Sequence, residues 1–492
     1  LSQIKKLAGQ TAVYGLSSII GRLLNYLLVP LYTRIFDPTA YGVVSEFYAY
    51  VTFLIVLFTY GMETAYFHFS SGELDKEKVY GNTLSMLLLS SSLLAGVLIF
   101  FSNSIANAIG YALHPEYIVW FSLILAFDAL TAVPFAKLRQ QNKAKKFAFL
   151  KLLNIGINIG LNLFFLYLLP KFAKEGNWAD AIYNPAMGVG YVFIANLISS
   201  GVTLILLLPD FRKVVFPIDN ALAKRMLIYA FPILIAGFAG MINETLDRAI
   251  LKYLITDKSN AMEQLGIYSA CYKLSILMTL FVQTCRYAAE PFFFSQRSKG
   301  NAKELYASIM NYFVLICSTI FLVVMLYIDV IKLFIGEKFY AGLNIVPILL
   351  FANLCLGVYL NLSMWYKLSG QTKYGAWLSI FGAAITILFN LWLIPIMGYT
   401  GAAWATLICY ASMMTASYLI GQKKYPIPYD VSRFFIFTIS AIGCWMLSNL
   451  IHSKFIFSTT TFGIINTVLL AVYFGAMWKL LGKQKLAINN VD

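Results

Sequence analysis

The sequence predicts an all-α, polytopic membrane protein of about 14 transmembrane helices, and three observations predict it. Hydrophobic residues make up 60% of the 492 and charged residues only 12%, about half the ~25% of an ordinary soluble domain. Mean hydropathy is +0.73, more apolar surface than a soluble core of this size can hide. The apolar residues come in long unbroken runs rather than short alternating segments, which selects helices over a barrel.

A span needs about 20 mostly apolar residues. On that rule helices fall near 10–32, 41–67, 80–104, 117–138, 148–170, 187–208, 226–249, 265–290, 305–327, 341–364, 376–396, 400–421, 433–452 and 459–480. The first run follows Lys5 and Lys6 and continues past Arg22 to Tyr32, so it reads as a span and not as a cleavable leader. No connecting loop is long enough to form a soluble domain.

Loop charge sets the orientation. With the N-terminus inside, 25 of the 37 basic residues fall on inner segments, the densest group being Lys137, Arg139, Lys143, Lys145, Lys146 and Lys151. Nine fall outside, and Arg22, Lys273 and Arg286 lie within spans. The asymmetry predicts both termini in the cytoplasm and an even span number. It also accounts for most of the +15 net charge without a nucleic acid or other polyanion as partner. The six cysteines lie in apolar stretches of the second half with no C-x-x-C spacing, and read as small core hydrophobes.

The chain carries an internal repeat. "YGVVSEFYAY" (41–50) opens the second span and "LGIYSACYKL" (265–274) the eighth, so that Gly42, Ser45 and Tyr48 match Gly266, Ser269 and Tyr272. "LYLLPK" before "MGVGYVFIANLISS" parallels "LWLIPI" before "TGAAWATLICYASM", pairing Gly188 with Gly401, with Asn162 and Asn390 each a few residues ahead of the prolines. Both matches keep their order, at spans 2/8 and 6/12. Two parallel six-helix halves follow, residues 1–208 and 209–421, with 422–492 adding two helices and a tail. Such halves suit a substrate site between them and alternating access.

Ionisable groups inside spans are costly and mark cavities or partners. Arg22 in span 1 and Asp128 in span 4 each lie ~18 Å from the inner face at 1.5 Å per residue. Lys273 in span 8 comes to the same depth of a ~30 Å core. Two readings stand: Arg22 and Asp128 neutralise one another, or the three line a hydrated cavity, with Asp128 as cavity acid or ion-coupling group. Secondary polar candidates lie nearer the rims. Glu46 and Glu63 are at opposite ends of span 2, and Glu244, Asp247 and Arg248 sit at the outer end of span 7. Arg286 and Glu290 are at the inner end of span 8. Glu244/Arg248 and Arg286/Glu290 have the i,i+4 spacing of local ion pairs. Pro134, Pro232 and Pro347 fall inside spans 4, 7 and 10, and Pro232 with Gly237 and Gly240 makes span 7 a candidate bending element.

Several chemistries lack their parts. There is no G-x-x-x-x-G-K-[ST] for nucleotide, no D-x-D for a metal-bound sugar nucleotide, and no H-E-x-x-H or C-x-x-C for zinc. No cofactor or metal is expected, and a transporter is favoured over an enzyme.

"TAVYGLSSIIGRLLNYLLVPLYTRIFDPTAYGVVSEFYAYVTFL", with its Gly-rich first helix, Arg22 and R-x-x-x-P-x-x-Y-G turn, resembles the opening of the polysaccharide transport family. "LWLIPIMGYTGAAWATLICYAS" resembles that family's eleventh-to-twelfth span signature. The resemblance covers roughly residues 8–421. It places the chain in the superfamily that also holds the multidrug and toxin extrusion (MATE) antiporters and the lipid II flippases. It implies an undecaprenyl-diphosphate-linked oligosaccharide, flipped from inner to outer leaflet of the bacterial inner membrane for O-antigen (lipopolysaccharide), capsule or exopolysaccharide assembly. The implied partners are that carrier lipid, membrane lipids and polysaccharide assembly proteins, and the implied cavity cations are Arg22 and Lys273. Many O-antigen flippases have twelve spans, whereas 14 is the pattern of lipid II flippases. A MATE-type proton- or sodium-coupled drug antiporter using Asp128 is the alternative, and a membrane-embedded glycan transferase a less favoured one.

Overall fold

A computed structural model describes residues 20–489 except Arg22 and the segments 73–74, 174–177, 214–217, 297–301 and 456–457. The described residues form helices joined by turns and short loops, with no strand among them. Among them twelve helices are long and apolar enough to cross a membrane, and a bent pair makes a thirteenth. Each coincides with a span expected from the sequence, while residues 10–19 and Arg22 of the expected first span lie outside the described residues. The chain is a multi-pass membrane protein. It divides into two compact units, Leu1–Ala249 and Ile250–Asp492.

The first unit contains α1 (Leu28–Ile35), α2 (Pro38–Thr59), α3 (Met62–Ser70), α4 (Lys76–Phe100), α5 (Ser102–Ala108), α6 (Pro115–Gln140), α7 (Ala144–Leu163) and α8 (Gly190–Leu207). It also holds most of α9 (Asn220–Leu254). Asp37 caps α2 by accepting from Ala40 N at 2.8 Å, with Pro38 in the first turn, where its missing N–H costs nothing. Gly61, at φ +75°, turns the chain between α2 and α3; a Cβ there would sit 3.2 Å from Ala230 O, so both backbone angle and space call for glycine.

α6 is the central helix of this unit, mostly buried, whereas the span that includes α7 is largely uncovered within it. Phe47 of α2, Phe121 of α6 and Phe193 of α8 lock three helices together, their ring centroids 4.7–5.4 Å apart. Such contacts add about 0.5–1.5 kcal/mol each beyond area burial. A second cluster joins Met62 and Tyr66 of α3, Tyr80 and Leu84 of α4, Val133 of α6 and Met226 of α9. The span begun by α7 passes through a π-turn at Phe164–Leu168 before Pro170. A proline cannot donate to the preceding ladder, and the wider turn absorbs the mismatch.

The second unit contains α10 (Ala261–Leu274), α11 (Ile276–Gln296), α12 (Ala302–Leu326), α13 (Val346–Leu362), α14 (Met364–Leu368), α15 (Lys373–Met397), α16 (Tyr399–Lys424), α17 (Val431–Lys454) and α18 (Thr459–Asn489). α12 and the span holding α13 are the most buried candidate spans of this unit. The expected eighth span is bent by 53° between α10 and α11, at Ser275, whose hydroxyl bonds Tyr272 O. No proline or glycine marks this break. Pro347 lies inside its span as expected, in the first turn of α13, where a 3-10 stretch (Glu337–Ile345) becomes α-helix. Pro134 and Pro232 do lie within continuous helices.

The repeat has a local physical counterpart. Asn162 and Asn390 are both fully buried, and each donates Nδ2 to the carbonyl four residues back, Asn158 O and Thr386 O, at 2.8 Å. The glycines that open spans 6 and 12 with positive φ are Gly188 (+48°) and Gly398 (+58°). By backbone conformation Gly188 therefore matches Gly398, three residues before the Gly401 read from the sequence.

Candidate functional site

The first unit encloses a cavity of about 510 Å³. Five helices line it, their lining residues recurring at i, i+3/i+4 spacing. α7 presents Phe147, Lys151 and Asn154, and α8 presents Asn196, Ser200 and Thr203. α6 contributes Asp128, Thr131, Phe135 and Arg139; Ile55 and Thr59 of α2 continue into Glu63 of α3.

Charge is layered along this cavity. Arg139 and Glu63 form a salt bridge near the end that loop charge places inside. The Arg139 guanidinium also lies over the rings of Phe67 and Phe147, at 5.0 and 5.9 Å. Lys151 lies about 10 Å from the start of α7 and Asp128 about 18 Å from the end of α6, at 1.5 Å per residue. Lys151 Nζ rests 4.2 Å from the Phe135 ring centroid and forms no salt bridge among the described residues. Asp128 is exposed to the cavity, and Ser200 Oγ donates to its Oδ1 at 2.8 Å.

Neutral polar groups complete the deep layer. Asn154 Nδ2 donates to Thr203 Oγ1 at 2.9 Å, Thr203 Oγ1 to Ser199 O at 2.8 Å, and Asn196 Nδ2 to Tyr48 OH at 3.1 Å. Because the rim pair neutralises itself, the charges left to meet a solute among the described lining residues are one ammonium and one carboxylate. The site suits a ligand with an anionic group and a hydroxyl- or amide-rich body.

The structure brings together Asp128 and Glu63 among the residues singled out from sequence. Arg22 lies outside the described residues. Lys273 occupies the last turn of α10 in the second unit. Glu46 is fully buried away from this cavity, its carboxylate receiving the hydroxyls of Tyr50 and, at 2.6 Å, Tyr111. The expected Glu244–Arg248 pair is replaced: Arg248 Nε lies 3.9 Å from Asp247 and Nη2 bonds the Glu244 carbonyl, while the Glu244 side chain is exposed. Arg286 lines a small pocket of the second unit with Asn361 and Lys367. The side chain of Glu290 is outside what is described. A Cβ on Gly237 would come within 3.1 Å of Val56, whereas Gly240 has open space.

Sequence reasoning missed Arg139 and Lys151, assigned to a loop, and overlooked Asn154, Asn196, Ser200 and Thr203. The signal was present as the spacing 151/154 and 196/200/203, which sets polar residues on one face of each of two helices.

The family model described as polysaccharide biosynthesis protein matches residues 7–297, more than half of the chain. No curated protein matches the sequence. Among solved structures, the chain is similar to a lipid II flippase MurJ in an inward closed conformation, with a TM-score of 0.73 and 15% identity over 97% of this chain and 99% of that one. It is also similar to an inward-facing multidrug resistance MATE family transporter of the MOP superfamily, with a TM-score of 0.64 and 14% identity over 82% and 94%. A MATE in complex with MaD3S aligns with a TM-score of 0.57 and 14% identity over 85% and 95%. At these identities the likeness is one of fold.

Proposed function

The chain belongs to the polysaccharide biosynthesis protein family, and from that membership we propose that it is a flippase for a lipid-linked oligosaccharide diphosphate. The observation that carries this reading is the cavity of the first unit. It offers the Lys151 ammonium at intermediate depth and a layer of amides and hydroxyls beyond it. An ammonium is a point partner for phosphate oxygens and a guanidinium a bidentate one, while amides and hydroxyls suit sugar hydroxyls. Arg139 becomes a second phosphate contact if the anion displaces Glu63, and Arg22 and Lys273 are the further cations of this proposal.

In this reading the carrier is undecaprenyl diphosphate, and the glycan serves O-antigen, capsule or exopolysaccharide assembly. The protein sits in a bacterial inner membrane with both termini in the cytoplasm and works by alternating access, without a catalytic step. Pro134, Pro232, Gly237 and Gly240 supply the bending points.

The open carboxylate of Asp128 favours a second reading, a cation-exporting antiporter. One experiment separates them: reconstitution in liposomes with a fluorescent polyprenyl-diphosphate oligosaccharide and, separately, an organic cation such as ethidium. The flippase reading requires that the first be translocated and the second not; ethidium efflux driven by a proton or sodium gradient, without lipid movement, overturns it.

A further inference from the structure

We propose that Asp128 is a specificity residue that admits a neutral or amino-bearing sugar next to the diphosphate and rejects a uronic or otherwise anionic one. This rests on the reading of the cavity as a lipid-linked diphosphate site, and three observations lead to it.

The first is the order of charge. Arg139 stands at the rim, Lys151 about 10 Å in and Asp128 about 18 Å in. The lipid tail must stay in the leaflet, so the diphosphate attached to it meets the rim and intermediate cations. The sugar bonded to that diphosphate then extends inward, to the layer of Asp128, Asn154, Asn196, Ser200 and Thr203.

The second is the difference between Asp128 and its neighbours. Asn154 and Thr203 bond one another, and Asn196 bonds Tyr48; amides and hydroxyls of this kind both donate and accept. A carboxylate only accepts. Ser200 occupies one oxygen of Asp128, and among the described residues no donor is bonded to the other. That oxygen takes a sugar hydroxyl, an acetamido N–H or an ammonium, and it has nothing to offer another carboxylate.

The third is the fate of the counter-charge. Lys151 lies in the same cavity, but with a diphosphate bound its charge is engaged there. A second anion beside Asp128 then meets a like charge that no further cation among the described residues of the cavity compensates, and between protein walls that repulsion is stronger than in bulk water. A carboxylate present only to satisfy Ser200 would produce no such discrimination.

The test uses full-length protein in liposomes and two probes, a polyprenyl diphosphate bearing N-acetylglucosamine and the same lipid bearing glucuronic acid. The wild type is expected to flip the neutral probe about tenfold faster or more, equivalent to ~1.4 kcal/mol. Asp128→Asn is expected to bring the ratio to within about threefold, and Asp128→Glu to retain the preference. The wild-type ratio tests the proposal even if a variant fails to fold. Equal wild-type rates, or discrimination undiminished in Asp128→Asn, overturn the filter while leaving the flippase reading intact. Movement of neither probe by the wild type overturns that reading and the filter with it.

Discussion

Ser200 on α8 donates a 2.8 Å hydrogen bond to the carboxylate of Asp128 on α6, fixing the deepest acid of the cavity on its most buried helix. Arg139 and Lys151 lie nearer the rim, so in the proposed reading the places for anion and glycan are separated along one axis. This gradient makes the cavity directional.

Lys151 is the cation least committed to the fold. Its ammonium contacts the Phe135 ring and forms no ion pair among the described residues, so removing it changes stability by under about 1 kcal/mol. Lys151→Gln is expected to lower flipping about tenfold or more, with Lys151→Arg partly active. Thermal unfolding and liposome flipping on the same preparations check this; unchanged flipping in Lys151→Gln removes Lys151 from the site.

Arg22 is proposed as a diphosphate contact for the step in which the substrate passes beyond the rim cations, because the sequence places a cation at mid-depth of the first span. A bidentate guanidinium–phosphate pair is geometrically specific, so Arg22→Lys should lose much activity and Arg22→Ala nearly all. Surface polysaccharide in a strain lacking the native gene measures this; normal polysaccharide from well-expressed Arg22→Ala removes the assignment.

The spans were legible because a bilayer imposes length and hydropathy on every helix that crosses it. The site was half legible. Asp128 stands out as a lone charge in an apolar run, whereas Arg139 and Lys151 lie near helix ends, where hydropathy cannot separate a loop charge from a cavity charge. Neutral residues such as Asn196 and Ser200 barely perturb a hydropathy average, and only their shared helical face marks them. The bend at Ser275 was illegible because a serine–carbonyl bond, not a proline, makes it. The Glu244–Arg248 spacing misled because Asp247, one residue away, competes for the same guanidinium.

Asn466 of α18 ties the last two spans to α12. Its Nδ2 donates to Leu326 O and its Oδ1 accepts from Ser448 of α17, both at 2.7 Å. Asn466→Leu strands both partners, at a cost of about 1–2 kcal/mol. A lowered melting temperature is expected, and Ser448→Ala should cost little more once Asn466 is gone. Additive losses would show that the two side chains do not act as a unit.

Asp219, in the connector ahead of α9, gives a pH signature outside the membrane. Leu222 N donates to its carboxylate at 3.0 Å and Lys78 pairs with it at 2.9 Å, which together hold its carboxyl below the usual range. A depressed carboxylate stabilises the fold above its unfolded value of about 3.9, and that contribution is lost as pH falls through the folded value. The melting-temperature gap between wild type and Asp219→Asn should therefore be constant from neutral pH to about pH 5 and close below about pH 4. A gap independent of pH throughout would remove Asp219 as its source.

The driving force follows from charge. With the cytoplasm negative, moving a diphosphate outward is downhill by roughly 2.3 kcal/mol per charge per 100 mV. Two charges at 100 mV give ~4.6 kcal/mol, more than a thousandfold in an equilibrium. Membrane potential alone can then bias export, in keeping with a sequence that carries no nucleotide-binding loop. In the proposed reading the cavity cations offset the substrate's charge during the loaded step, which would leave most of the voltage dependence to the return of the empty carrier. Flipping in liposomes should accelerate when the face corresponding to the cytoplasm is held negative. It should slow when valinomycin with equal potassium on both sides collapses the potential at fixed pH and sodium. A rate indifferent to potential but dependent on a proton or sodium gradient would make ion exchange the engine, and Asp128, the open carboxylate of the cavity, the first residue to test as its carrier.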